Sequence, residues 1–224
     1  MRQLQDRLDR LMLRLDRMGM RCQQAVLDAL AAAEGRDAAA GSFVDEQDTE
    51  IDREEVDIEQ ECIRLLALYQ PAAIDLRTIC FAIKANNDLE RIADKAASIG
   101  RRAKHVAAER IDLAQYPGWT DLVRAVTQRL DKTLRSIATR NLDAARDVIA
   151  SDAEVDVAYG RFVRTALSHE RSDPAGVDVV LTLTLLARAL ERIGDLCTNI
   201  AEDIVFLCTG DIVRHAKARE EPKE

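Results

Sequence analysis

Two pairs of acidic residues in each half of this sequence have members separated by four positions and recur at matching places in the other half. The pairs are Asp48 with Asp52, Glu90 with Asp94, Asp152 with Asp156, and Glu191 with Asp195. On an α-helix this spacing places both carboxylates on one face, where their repulsion is destabilising unless a cation lies between them. Carboxylate oxygens are hard ligands and bind hard cations. Each pair is therefore a candidate half of a metal site.

The pairs recur in the two halves of the chain, which sets them apart from pairs formed by chance. The motif DTEID at 48–52 returns as DAEVD at 152–156, and DLERIAD at 88–94 returns as ALERIGD at 189–195. In a chain with 40 acidic residues, any single pair is more simply explained as part of a solvated helix face. Recurrence at matching places in two diverged halves favours a ligand role. If the helices carrying the two pairs run antiparallel, the pairs face one another and four to six oxygens surround one site.

The second half extends this acidic face further than the first. Asn199 and Glu202 follow Asp195 by four and seven positions, whereas the equivalent places in the first half hold Ser98 and Arg101. We therefore expect the second site to bind a cation more tightly.

The elements that position these acids are predicted to be helices. The chain of 224 residues has nine Gly, four Pro, one Trp, three Tyr and four Phe, too few for the turns and cross-strand pairs of a sheet protein. In the first helix, apolar residues recur at alternating steps of four and three at Leu4, Leu8, Leu11, Leu15, Met18, Cys22 and Ala25. Six helices are predicted, over residues 4–33, 38–69, 71–105, 120–140, 142–168 and 174–208.

The fold class is accordingly all-α, with two tandem three-helix bundles related by an internal repeat. Pro117 and Gly118 belong to the one cluster of helix breakers near the middle of the chain, so the linker is placed there. The predicted domains are a first repeat at 1–111, a linker at 112–119, a second repeat at 120–210 and a polar tail at 211–224.

A row of arginines flanks the apolar seam of the first helix. Its members are Arg7, Arg10, Arg14, Arg17 and Arg21, with Asp6, Asp9 and Asp16 as the local acids that offset them. One interpretation is a solvated flank whose arginine stems cover the seam. The other is a docking strip for an acidic partner or an anionic membrane surface.

Composition and motifs exclude several other classes of protein. Lys and Arg number 32 against 40 for Asp and Glu, giving a formal charge of −8 that disfavours nucleic-acid binding. The five cysteines form no CxxC pair. They are predicted to be small buried hydrophobic residues in a protein of a reducing compartment. The sequence contains no HExxH, Walker A, GxGxxG or GxSxG motif, so nothing in it indicates catalysis. No signal peptide and no membrane span are predicted.

The segments QPAAIDLR at 70–77, NNDLERIADKA at 86–96 and the run from 187 to 215 resemble the PhoU family of phosphate-uptake regulators. The resemblance extends over essentially the whole chain. It implies two three-helix bundles in a cytoplasmic, non-enzymatic negative regulator that is often a homodimer. Such a regulator links the high-affinity phosphate ABC transporter, through its ATPase subunit, to the sensor histidine kinase of the phosphate regulon.

The resemblance also implies metal binding through E(D)xxxD motifs, with iron, zinc, manganese or magnesium as the bound ion. Residue by residue, those motifs carry over to Asp48, Asp52, Glu90, Asp94, Asp152, Asp156, Glu191 and Asp195. The first repeat departs from the second at Ala93, where the second has Gly194.

Three functions of different classes are compatible with these residues. A regulatory adaptor accounts for the lack of catalytic motifs, the duplicated bundles and the arginine row. A metal-buffering or storage protein would need only the carboxylates. A carboxylate-bound metalloenzyme would need an open coordination position and an additional acid or base, for which the sequence offers no candidate beyond the carboxylates themselves.

Overall fold

The computed structural model describes residues 2–35, 40–169 and 176–213. Within these ranges it contains seven α-helices and no strand: α1 Arg2–Ala33, α2 Ala40–Tyr69, α3 Ala73–Ala108, α4 Trp119–Thr139, α5 Leu142–Ala150, α6 Asp152–His169 and α7 Gly176–Thr209. The all-α prediction is confirmed. The predicted start of the last helix at Pro174 and most of the polar tail, residues 214–224, lie outside the described ranges.

The first three helices form one unit whose core follows the predicted seam. All seven seam residues of α1 are buried, from Leu4 at 9 % exposure to Met18 and Cys22 at 0 %. The helix ends where the sequence predicts, because Gly35 takes a left-handed φ of 69° and its N–H binds the carbonyl of Ala32. Helices α2 and α3 pack against α1 and against each other, closing a three-helix bundle.

The second unit contains one break that the sequence analysis did not predict. The helix expected over 142–168 is interrupted at Ser151, so that α5 and α6 together take the place of one long helix. The Ser151 hydroxyl donates a hydrogen bond to the carbonyl of Val148 at 3.0 Å. A serine side chain that binds the backbone in this way competes with the helical hydrogen-bond ladder. Asp152 consequently becomes the first residue of α6.

The two units pack closely together. The long helices α3 and α7 are joined by a hydrogen bond from Arg77 Nε to the carbonyl of Leu207 at 3.2 Å and by an ion pair between Lys84 Nζ and Asp203 Oδ1 at 3.1 Å. The order of these two contacts shows that the helices run antiparallel. Helices α1 and α4 meet at Gly19, where an added Cβ would lie 2.7 Å from Leu134 Cδ2. The buried apolar residues of both units therefore form a single continuous core.

The predicted linker at 112–119 falls in the connection between α3 and α4, except for Trp119, which is the first residue of α4. This connection contains one 3₁₀ turn, Leu113–Gln115, and ends at Gly118, whose φ of 96° favours glycine. The indole N–H of Trp119 then donates to Glu34 Oε1 at 2.8 Å, which ties the start of α4 to the end of α1.

None of the helices in the described ranges is both long enough and apolar enough to cross a membrane. All five cysteines are free thiols. Cys22, Cys62 and Cys197 are buried, as predicted, whereas Cys80 and Cys208 are partly exposed. Burial raises the pKa of the Cys62 thiol to about 12, so this side chain acts as an apolar core residue.

Candidate metal centre

In the second repeat, α6 and α7 run antiparallel and bring acids from both helices together. Asp152 near the start of α6 contacts Thr198 far along α7, while Val155 lies beside Gly194, one turn earlier on α7. An added Cβ on Gly194 would approach Val155 Cγ1 to 3.0 Å, so the glycine permits the close approach of the two helices. The antiparallel pairing predicted from the sequence is therefore present in this repeat.

Three of the predicted ligands converge in this repeat. Asp156, Glu191 and Asp195 each offer a carboxylate oxygen, and these oxygens all lie within 4.8 Å of one another. Asp156 is exposed, whereas Glu191 is buried. We call these three residues the second-repeat cluster.

Burial and neighbouring charge both act on Glu191. Its removal from water is the main cause that raises the pKa of this carboxyl, and Asp195 adds to the rise, while Arg188 and Arg192 oppose it. Oε1 accepts a hydrogen bond from Arg188 Nη1, but Oε2 is buried and accepts none from the residues described. A buried carboxylate oxygen without a hydrogen-bond donor is suited to coordinating a cation, so the cluster fits a hard divalent ion.

Asp152, the fourth predicted acid of this repeat, lies outside the three-acid cluster. Its Oδ1 accepts hydrogen bonds from Arg129 Nη1 at 3.1 Å and from Thr198 Oγ1 at 2.8 Å. The Arg129 side chain is only 3 % exposed, and it reaches Asp152 from α4. The sequence analysis missed Arg129 as a neighbour of this site, because an arginine on an amphipathic helix is normally expected at the surface.

The first repeat brings acids together in a different pattern. Glu90 on α3 is partly buried, and its pKa is raised to about 7, first by burial and then by the charges of Asp94, Asp52, Glu55 and Asp48. The other three predicted ligands of this repeat therefore all lie close enough to Glu90 to act on it. Within the described ranges, the four predicted ligands do not form a group of three with ligand atoms as close as those of the second repeat. We call these five acids the first-repeat cluster.

Glu55 was not predicted as a site residue. Burial raises the pKa of its carboxyl, and Glu59 and Asp52 add to the rise. Its backbone carbonyl accepts a hydrogen bond from the fully buried amide of Asn86 at 2.9 Å, which fixes α2 against α3. The signal that could have found it is its position three residues after Asp52, on the same face of α2.

The two clusters differ most in the arginines beside them. Asp48 and Asp152 are 104 positions apart, and the same offset places buried Ala25 of α1 where α4 has Arg129. The second-repeat cluster also has Arg188 and Arg192 within ion-pair distance of its acids. The close spacing of the carboxylate oxygens favours a cation in the second repeat. The neighbouring arginines oppose a cation there, and this favours the first repeat instead.

The residues predicted to extend the second site lie further along α7. Asn199 and Glu202 are both partly exposed, and Glu202 is not part of the three-acid cluster. In the first repeat, the Ser98 hydroxyl and carbonyl both accept hydrogen bonds from Arg102. The predicted difference in affinity between the repeats stays a prediction.

The arginine row of α1 is paired within the molecule. Arg7 binds Glu61 at 3.4 Å, Arg14 Nε binds Glu54 at 2.7 Å and Arg21 binds Glu50 at 3.5 Å. The local acids of α1 are therefore not the main partners of these side chains, because an acidic face of α2 lies opposite. Arg10 and Arg17 are exposed and make no ion pair with any residue the structure describes. These two members of the row therefore fit the predicted docking strip best, because no described acid neutralises them.

Fold and site together define a tandem-repeat helical protein with one acidic cluster between the second and third helices of each repeat. The PhoU domain model matches residues 15–103 and again residues 120–204. The chain belongs to the PhoU family, as the twin acidic motifs predicted.

Curated relatives of similar length match most of the chain. The phosphate-specific transport system accessory protein PhoU of Serratia marcescens is 35 % identical over 201 residues, covering 88 % of this chain and 81 % of the relative. The phosphate-specific transport system accessory protein PhoU of Escherichia coli is 33 % identical over 206 residues, covering 91 % of this chain and 84 % of that relative.

Solved structures show the same fold. The crystal structure of PhoU from Pseudomonas aeruginosa superposes with a TM-score of 0.85 at 33 % identity, covering 92 % of this chain and 99 % of that one. The phosphate transport system regulatory protein PhoU from Streptococcus pneumoniae superposes with a TM-score of 0.84 at 22 % identity, covering 94 % of this chain and 99 % of that one. At that identity, the second match supports the fold alone.

Proposed function

We propose that this chain is a cytoplasmic, non-enzymatic regulator of phosphate uptake that binds metal and links a phosphate ABC transporter to its sensor histidine kinase. It would act as a negative regulator of the phosphate regulon, contacting the ATPase subunit of the transporter. The proposal is supported by relatives of similar length that are named phosphate-specific transport system accessory proteins.

The observation that carries the metal-binding part of the proposal is the presence of an acidic cluster at the same place in both repeats. Asp156, Glu191 and Asp195 would hold a cation in the second repeat, and Asp52, Glu90 and Asp94 would provide the core of the site in the first. A bound ion, whether iron, zinc, manganese or magnesium, would neutralise these acids and stabilise the pairing of the two helices that carry them. Its role would be to hold the partner-competent fold.

We also propose that the protein forms a homodimer. Leu13, Met20 and Leu27 repeat every seven residues on the outer face of α1, and each is between 44 % and 54 % exposed. A seam with this spacing is typical of helices that pack against another helix. Analytical ultracentrifugation of wild type and of Met20→Glu tests this part, because a buried charge at the centre of the seam is expected to yield the monomer.

Co-purification tests the adaptor function. The chain, tagged at its C-terminus, is expressed in its own host with the transporter ATPase and the sensor kinase at natural levels, in high and in low phosphate. We expect both partners to be retained, in amounts that change with phosphate. If neither partner is retained while the protein carries metal, the metal-buffering or storage function is supported instead.

A further inference from the structure

A cleft of about 250 Å³ lies between the first half of α1 and the last third of α2. Its six lining residues are Arg7, Arg10, Leu11, Arg14, Glu61 and Arg64, so four of the six are arginines. We call this feature the arginine cleft. It is built from residues other than the acids of the two metal clusters.

The ion pairs of the cleft leave most of its hydrogen-bond donors unused. Glu61 lies between two arginines, with Oε1 3.4 Å from Arg7 Nη1 and Oε2 2.6 Å from Arg64 Nη1. Arg14 is bound on the α2 side by Glu54, and more weakly by Asp57 at 3.4 Å. Each guanidinium carries five N–H donors, so each of these pairs occupies only a minority of them.

Arg10 supplies the charge that is not balanced. It is exposed, it lines the cleft, and it makes no ion pair with any residue the structure describes. Arg7, Arg14 and Arg64 also line the cleft but are paired with acids of α2. The positive charge of Arg10 is therefore left uncompensated, and a bound anion would neutralise it.

Among the residues that the structure describes, the second repeat has no equivalent set of arginines at the matching positions. Helix α1 has 32 residues and α4 has 21, so the first turns of α1, which carry Arg7 and Arg10, extend beyond the duplicated part. The offset of 104 that relates the repeats places Thr165 and Ser168 where α2 has Glu61 and Arg64. The cleft is therefore an addition to the repeated architecture and is not part of the structural frame that both repeats share.

We propose that the arginine cleft binds a small inorganic phosphoryl anion, orthophosphate or pyrophosphate. Guanidinium forks match the oxygens of a phosphoryl group and form charge-assisted hydrogen bonds with it. The volume is below the about 300–1,000 Å³ of clefts that take drug-sized ligands, which favours a compact anion over a nucleotide. The inference goes beyond the adaptor function, which requires no small ligand.

Isothermal titration calorimetry tests the proposal on the full chain. Metal is removed with a chelator and the chelator is dialysed away, because phosphate also binds metal ions. Orthophosphate and pyrophosphate are then titrated at constant ionic strength, into wild type, Arg10→Gln, Arg64→Gln and Arg17→Gln. Arg17 is the matched control, since it is an exposed, unpaired arginine seven residues further along the same row of α1 but outside the cleft.

We expect saturable binding of one anion per chain in wild type. Because a hydrogen bond to a charged group contributes about 1.5–3 kcal/mol, Arg10→Gln and Arg64→Gln should each raise the Kd by about tenfold or more. Arg17→Gln should change it by less than about twofold, since its charge is distant and screened. Absence of saturable binding to wild type, or equal weakening by Arg17→Gln and Arg10→Gln, would overturn the proposal. Either result leaves the adaptor function untouched, because that function is tested by co-purification.

Discussion

Arg129 of α4 holds Asp152 of α6 through a hydrogen bond of 3.1 Å between Nη1 and Oδ1. The arginine is almost completely buried, whereas Asp152 is 44 % exposed. This contact keeps Asp152, one of the predicted ligands of the second repeat, out of the three-acid cluster and uses its carboxylate to neutralise a buried charge. It also connects the first helix of the second repeat to the break at Ser151, whose hydroxyl accepts a hydrogen bond from Arg129 Nη2 at 3.3 Å.

Asp152→Asn should destabilise the metal-free protein, because it removes the carboxylate that neutralises buried Arg129. A hydrogen bond to a charged group is worth about 1.5–3 kcal/mol, and we expect a loss in the free energy of unfolding near the lower end because Asp152 is partly exposed. Asp156→Asn, one turn along the same helix, is the matched control and should not destabilise metal-free protein, since it relieves repulsion. Urea denaturation in chelator compares them. Equal losses from both substitutions would show that the Arg129 contact has no special role.

Metal content should depend on the acidic pairs and not on acidity in general. Glu191→Gln with Asp195→Asn should abolish binding in the second repeat, and Glu90→Gln with Asp94→Asn should abolish it in the first. Asp143→Asn with Asp147→Asn changes an exposed pair of the same spacing on α5 and serves as the control. Elemental analysis gives the metal content, and thermal unfolding with and without chelator gives its effect on stability. If both double variants retain wild-type metal, the acids are solvated helix faces.

The free energy of unfolding of the metal-free protein should fall as the pH rises from the ordinary pKa of a glutamate to the raised pKa of Glu90. Its pKa is about 7 in the folded chain and its ordinary value is 4.5, so the folded state binds the proton more tightly. Between these values the folded state holds more protons than the unfolded one, and stability therefore decreases as pH rises from about 4.5 to about 7. Glu90→Gln should remove this part of the slope, whereas Glu109→Gln, at an exposed position, should leave it. A Glu90→Gln profile that superimposes on wild type would contradict the assignment.

Gly194→Ala should destabilise the second repeat by up to about 2 kcal/mol, because crowding of Val155 by the new methyl group outweighs the roughly 1 kcal/mol that Ala gains over Gly in a helix. The added Val155→Ala substitution should remove this penalty, and the coupling between the two can be measured in a double-mutant cycle. Gly160→Ala on α6 is the control, since its Cβ would meet only the end of the Arg164 side chain. It should stabilise the protein by up to about 1 kcal/mol. Additive effects of Gly194→Ala and Val155→Ala would show that the close approach is unimportant.

Reversing the charge of a paired arginine in the row should lower the free energy of unfolding more than reversing the charge of an unpaired one. Arg14→Glu places a carboxylate against Glu54 and Asp57 and should cost about 1 kcal/mol of stability. Arg17→Glu should have little effect on folding, because Arg17 is exposed and unpaired among the residues described. Urea denaturation at low and high salt measures both, and the Arg14→Glu penalty should shrink at high salt. A penalty for Arg17→Glu as large as that for Arg14→Glu would be incompatible with the observed pairing.

Local periodicity predicted the helices. It also predicted that the two acids of each pair share a helix face, because spacing along a helix determines which residues lie on the same side. It predicted the seam from Leu4 to Ala25. The meeting of Asp156 with Glu191 followed only on the condition that the two helices carrying the acids run antiparallel. Periodicity could not predict Arg129, since a buried arginine is recognised only by the acid that faces it from another helix. The break at Ser151 was missed for a similar reason, because a serine hydroxyl can equally point to solvent.

The acidic partners of the arginine row form a pattern that is visible in the sequence. Glu50, Glu54, Asp57 and Glu61 follow one another on α2 at steps of four, three and four, which defines a single acidic face. With α1 and α2 antiparallel, that face meets Arg7, Arg14 and Arg21 in reverse order. Pairing charge patterns between neighbouring helices, and not only along one helix, would have predicted these contacts.

Expression from a phosphate-starvation promoter, in a strain of the natural host that lacks this chain, tests the regulatory function most directly. The strain is complemented with wild type, with the quadruple variant at Glu90, Asp94, Glu191 and Asp195, or with the control variant at Asp143 and Asp147. We expect expression in high phosphate when the chain is absent, repression by wild type and by the control variant, and loss of repression with the quadruple variant. If the strain without the chain represses the promoter normally in high phosphate, the proposed regulatory function is wrong.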